Sequence, residues 1–226
     1  HSYWSYLKIF GSDNVILINN TISMPSYSEI EIANTHSICL INSRVQADIS
    51  ISRTKVAAII DNGYLRDVSC QIVGRLVYKN NINSKGLSVL CCTDVEIINS
   101  TFGKNYASTL ALRYVMNCSL INSRINGEYR GILIYESIIV KVISSRIEAY
   151  GVGIDVILSA GIDISNNEIS AEDYGIHVYK ARSVIISKNK IAIDGSGREK
   201  ERCCIHIEDS KEILIKWNTC NGARYV

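Results

Sequence analysis

The sequence predicts an all-β fold, a single-stranded parallel β-helix solenoid of about ten coils with roughly 22 residues each. Three observations predict it. Apolar triplets recur at a near-constant spacing, each triplet alternates inward and outward with the period of a strand, and Asn and Ser recur at fixed steps behind them. Composition agrees: the 226 residues hold 38 Ile against one Pro, two Phe and two Trp, an excess of β-branched residues that favours strands.

Taken in order, coils start at Leu7, Ile30 and Ile49, then at a poorly matching turn near Val68, then at Leu87. The starts Leu110, Ile132, Ile154 and Ile176 follow 22 residues apart, and Ile205 comes 29 later. Within a coil, the start and start+2 face inward and start+1 and start+3 face outward. Positions +8 and +10 supply a second strand (Cys118 and Leu120, Val140 and Val142, Ile162 and Ile164), and +15 supplies a third inward contact (Ile125, Ile147, Ile169, Ile191, Cys220). No 3.6-residue periodicity competes, which excludes helical and leucine-rich repeats. The range 1–226 therefore reads as one domain with coils from Leu7 to Cys220, irregular at 68–86 and interrupted by a polar insertion at 194–203.

Polar columns follow the same frame. Position +12 carries Asn19, Asn42, Asn99, Asn122, Ser144 and Asn166, and +13 carries Asn20, Ser43, Asn62, Ser100, Ser123, Ser145, Asn167, Asn189 and Asn218. Asn tolerates the left-handed backbone of tight corners, and stacked amides can bond along the column, so these are expected to be structural. Gly131, Gly153 and Gly175 precede three first strands, where a sharp bend is expected.

The segments GIDVILSAGIDISNNEI and GIHVYKARSVIISKNKI resemble the short repeat of right-handed, pectin-lyase-like parallel β-helices. Such repeats occur in NosD-type periplasmic proteins, carbohydrate-active enzymes and viral tailspikes. The resemblance covers nearly the whole chain and implies the fold; the matching residues are structural columns, which leave function open.

Several classes drop out. A net charge of +2 gives no field to hold a nucleic-acid backbone, so no nucleic-acid partner is expected. No apolar run reaches the length of a membrane-spanning helix. Neither terminal segment reads as a polar cap, so the chain is expected to be part of something longer or to stack on other chains at its open ends, as a homo-oligomer. Among the eight Cys, no column repeats, so no bridge between adjacent coils is predicted; Cys70, Cys118 and Cys220 read as small core residues, while bridges across a corner stay open.

The most chemically varied surface is the outer face of the first strand. Position +1 carries Asp155, His177 and His206 in successive coils, and +3 carries Arg113, Tyr135, Ile157, Tyr179 and Glu208. Asp155, His177, His206 and Glu208 are the candidate catalytic groups, with Arg113, Tyr135 and Tyr179 as ligand contacts, the tyrosines as platforms for sugar rings. By coil spacing Asp155 and Glu208 stand ~12 Å apart at the backbone, a poor match to either glycosidase geometry. A metal held by His177, His206 and Asp155 is geometrically feasible, yet no recognised ligand spacing supports one, and no cofactor is expected. Of three N-x-S/T sequons, Asn117 is the best glycosylation candidate, since Asn19 and Asn99 fall in the Asn column.

The leading expectation is an extracellular or virion-surface module, resembling a tailspike or tail-fibre shaft, whose partner is a polysaccharide or cell-surface glycan. The alternatives are a polysaccharide lyase or glycoside hydrolase using the acidic and histidine face, a NosD-like periplasmic metal-handling protein, and a purely structural solenoid.

Overall fold

The computed structural model describes residues 5–25, 28–83, 85–194 and 202–222 and contains no helix among them. Every strand pairs in parallel with its equivalent in the next coil, as in Leu110 with Ile132, Ile154 with Ile176, and Ile176 with Ile205. First and second strands merge into one 18-stranded sheet, and the third strands stack as a ten-stranded sheet. Inward columns form a continuous buried core, with Leu110, Ile132, Ile154 and Ile176 all at 0% exposure.

Within the stretch expected to be irregular, residues 68–83 form strands paired in the same register as their neighbours. Val68–Lys79 is a single strand that pairs with the preceding coil through Ile49 and with the following coil through Leu87. Its coil is short because the corner after the third strand is short. Asn83 leads to the start at Leu87, as Val45 leads to Ile49 and Leu65 to Val68, whereas Ile125 leads to Ile132. The shorter corner removes residues without disturbing the first two strands.

Left-handed backbone recurs at fixed steps, at +4 and +12 throughout and at +7 in the coils that start at Ile132, Ile154, Ile176 and Ile205. Asn19, Asn42, Asp61, Asn80, Asn99, Asn122, Ser144, Asn166, Lys188 and Trp217, all at +12, have φ between 47° and 57°. Position +4 does the same with Asn34, Arg53, Ile72, Cys91, Tyr114, Glu136, Leu158, Lys180 and Asp209. The +13 column is a buried polar ladder. The Ser145 amide donates to Asn167 Oδ1 (2.9 Å), Asn167 Nδ2 donates to Asn189 Oδ1 (3.0 Å) and to the Val142 carbonyl (2.8 Å), and Asn189 Nδ2 donates to Asn218 Oδ1 (3.0 Å). Where the column holds Ser, the hydroxyl accepts instead, from the Ser100 amide at Ser123 (3.2 Å) and from the Ser123 amide at Ser145 (3.1 Å). A second ladder at +5, with the Val115 amide donating to Ser137 Oγ and the Ser137 amide to Ser159 Oγ (both 3.1 Å), closes the first corner.

The glycine column serves packing rather than a bend. Gly131, Gly153 and Gly175 lie inside first strands and have ordinary negative φ. A Cβ at Gly153 would sit 2.5 Å from the Gly175 carbonyl oxygen and 2.5 Å from Ile169 Cγ2, and a Cβ at Gly131 would sit 2.5 Å from Ile147 Cγ2. In the last coil the same two positions, −1 and +15, hold Cys204 and Cys220, which form a disulfide with a Cα–Cα distance of 6.0 Å. This corrects the reading of Cys220 as a core thiol. The partners occupy different columns because they face each other across one coil, not between coils.

Cys70 and Cys118 are buried free thiols as expected. Burial, with a smaller effect of Cys92, pushes the Cys118 thiol up to about 12 and raises Cys70 as well. Because the thiolate is the reactive form, alkylation of the folded protein is expected to modify exposed Cys91 and to spare Cys70 and Cys118 until denaturant is added. Peptide mass mapping before and after unfolding measures this directly.

Candidate functional site

The register brings the sequence-predicted residues together as columns. Asp155 pairs with His177 and His177 with His206, while Arg113, Tyr135, Ile157, Tyr179 and Glu208 run in unbroken register through four successive pairings. The two columns differ in access. Position +1 was expected to be an outward solvent stripe, but Asp155 is 2% exposed, and Ala111 and Leu133 are each 5% exposed. First strands here begin two residues before the coil start, at Arg130 and Tyr174, and Arg130 pairs with Asp155 while Tyr174 packs on His177 and His206.

Asp155 is held at both oxygens. Arg130 Nε forms an ion pair with Oδ2 at 2.7 Å, and His177 Nδ1 lies 2.8 Å from Oδ1. A carboxylate only accepts, so Nδ1 of His177 carries the proton and Nε2 presents its lone pair when the ring is neutral. The ring centroid of Tyr174 lies 5.6 Å from that of His177 and 5.1 Å from that of His206, and the two imidazoles are 5.4 Å apart. His206 Nε2 is 4.0 Å from Glu208 Oε2. One ligating atom from each of His177, His206 and Glu208 lies within 4.8 Å of the other two; Asp155 does not belong to that group but stands behind it. Asp155 and Glu208 therefore take separate roles, one buried between Arg130 and His177 and one exposed beside His206.

Along +3 the tyrosines are supported from the following position. The Tyr114 ring meets Tyr135 edge-on at 5.8 Å, and Lys180 Nζ sits 4.8 Å from the Tyr179 ring centroid. Tyr135 also hydrogen-bonds Glu136, and that bond raises its pKa above the ordinary phenol value.

A further feature escaped the sequence reading. Lys104, Arg146, Glu148, Tyr150, Glu172 and Asp194 line a cleft of about 510 Å³ beside the third-strand sheet. Lys104 Nζ donates to the Tyr150 hydroxyl at 2.9 Å, and Arg146 pairs with Glu148 at 2.7 Å and with Glu168 at 3.7 Å. The available signal was the sign alternation at +14, Arg146, Glu168 and Lys190, which the register stacks. These exposed pairs contribute little to stability each.

The sequons Asn19 and Asn99 stack in the +12 corner column, accepting from Asn42 Nδ2 (2.8 Å) and Asn122 Nδ2 (2.7 Å). Asn117 opens a second strand, exposed, with its Nδ2 donating to Asp94 at 3.1 Å. Of the insertion predicted at 194–203, residues 195–201 lie outside the described residues. No helix among the described residues is long and apolar enough to cross a membrane.

A family model described as a right-handed β-helix region matches residues 4–191. No curated protein matches the chain. Among solved structures, the chain is similar to QnrB1, a plasmid-mediated fluoroquinolone resistance protein, at 12% identity over 87% of this chain and 91% of that one, with a TM-score of 0.31.

Proposed function

The chain belongs to the right-handed β-helix family, and from that premise we propose that it is a recognition module whose first-strand face binds a polysaccharide or cell-surface glycan. The observation that carries this reading is the unbroken column Arg113, Tyr135, Ile157, Tyr179 and Glu208. Two phenol rings two coils apart, ~9.6 Å, stand on either side of Ile157 and between Arg113 and Glu208 along the solenoid axis, a spacing suited to an extended chain of sugar rings. Asp155 supports recognition over hydrolysis or elimination. A catalytic carboxylate must reach the substrate, whereas this one is buried with both oxygens occupied. The Cys204–Cys220 bond supports placement at a cell or virion surface or in the periplasm, since disulfides persist in oxidising compartments.

A panel of immobilised polysaccharides tests the reading. Each stacked ring contributes about 0.5–1.5 kcal/mol, so the double variant Tyr135→Ala, Tyr179→Ala is expected to weaken binding by roughly tenfold or more. Tyr150→Ala, in the cleft on the other side, is expected to leave it unchanged. Binding that ignores the double variant, or that depends on Tyr150 instead, removes the first-strand face from consideration.

A further inference from the structure

The geometry points to a divalent transition-metal site of the zinc type, ligated by His177, His206 and Glu208 and oriented by Asp155. Two observations carry it independently. The first is the donor set: two imidazoles in adjacent parallel strands, directly in register, and a carboxylate two residues beyond the second on the same outer face. Nitrogen with one carboxylate oxygen is a donor combination that suits zinc and its neighbours, and three protein ligands leave a position open for water or for a ligand hydroxyl. Three atoms no more than 4.8 Å apart lie within about 2.8 Å of a common centre. Metal–ligand distances of about 2.0–2.2 Å then require each side chain to close by about 0.7 Å, within reach of χ adjustments.

The second observation is the support behind His177. Histidine ligands are held, at the nitrogen that does not bind the metal, by a carboxylate, a backbone carbonyl or a water. Asp155 occupies that place: it takes the Nδ1 proton of His177 at 2.8 Å, is itself pinned by Arg130 at 2.7 Å, and is buried at 2% exposure, too enclosed to serve a solvent-facing role. Nε2 of His177 is thereby directed as the metal-binding nitrogen. Tyr174 packs on both imidazoles and limits their rotation. Glu208 contributes one negative charge toward the ion, while the charge of Asp155 is offset by Arg130. The assignment stands apart from the glycan reading, because it requires no saccharide.

Titration of the purified, metal-stripped protein with Zn²⁺ by calorimetry and with Co²⁺ by visible absorption tests it. The expected result is one ion per chain at micromolar affinity or tighter, with cobalt bands of a tetrahedral or five-coordinate nitrogen–oxygen site and no thiolate charge-transfer band. His206→Ala and Glu208→Gln should each weaken binding more than tenfold while leaving the circular dichroism spectrum intact. Asp155→Asn should weaken it 10–100-fold, the range typical of lost support behind a ligand; if that variant does not fold, the two ligand variants decide. The assignment is overturned by the absence of saturable binding, by a thiolate spectrum, or by unchanged affinity in both His206→Ala and Glu208→Gln.

Discussion

Replacing Asn167 with Ala is expected to destabilise the protein by about 3 kcal/mol, since it orphans buried polar groups in two neighbouring coils. The Asn167 side chain accepts from the Ser145 amide and donates to both the Val142 carbonyl and Asn189 Oδ1, all in a column closed to water. Alanine supplies none of these, and an unpaired buried amide keeps its full desolvation cost. Asn167→Ser is the informative contrast. Serine already fills this column at 100, 123 and 145, where its hydroxyl accepts the amide of the preceding coil. The serine variant should therefore lose only about 1 kcal/mol. Urea midpoints for parent, Ala and Ser variants measure both values, and equal losses would show that the ladder acceptor is not what matters.

Gly153→Ala is expected to cost about 2–3 kcal/mol, through overpacking rather than backbone conformation. The added methyl would meet a neighbouring backbone oxygen and the Ile169 methyl, each at 2.5 Å. The isoleucine side chain can turn aside, but the Gly175 carbonyl belongs to the sheet ladder, so the coils must spread. By urea midpoints in a double-mutant cycle, Gly153→Ala is expected to cost less in the Ile169→Ala background, where the Cγ2 methyl is gone, yet still to destabilise, because the Gly175 carbonyl remains. No cost in that background would place the strain on the side chain alone.

The features legible in the sequence are those where a position demands one chemistry. At +12 the left-handed corner selects Asn often enough to mark the register, and at +13 the ladder needs a small acceptor, which both Asn and Ser supply. At +4 the same left-handed backbone is occupied by Ile72, Tyr114 and Leu158, whose identities carry no trace of it. The site was half legible. Register placed His177 beside His206 and aligned the tyrosines, because a strict period fixes neighbours along a parallel stack. Burial of Asp155 was not readable, since it depends on where Arg130 lies relative to the next coil, and corner residues follow no period. The disulfide was hidden for a related reason: columns compare coil with coil, whereas Cys204 and Cys220 meet across the width of a single one.

That pair and the glycines are two answers to one spatial problem. In the last four described coils, where −1 and +15 converge, the chain has either removed a side chain, leaving Gly against Ile at 131 and 147, 153 and 169, or 175 and 191, or has joined the two side chains by a covalent bond at 204 and 220. The choice divides the solenoid by its sensitivity to reductant. Coils closed by Gly and Ile hold their cross-section by packing alone, in any compartment, while the last described coil ties its own to the redox state of its surroundings.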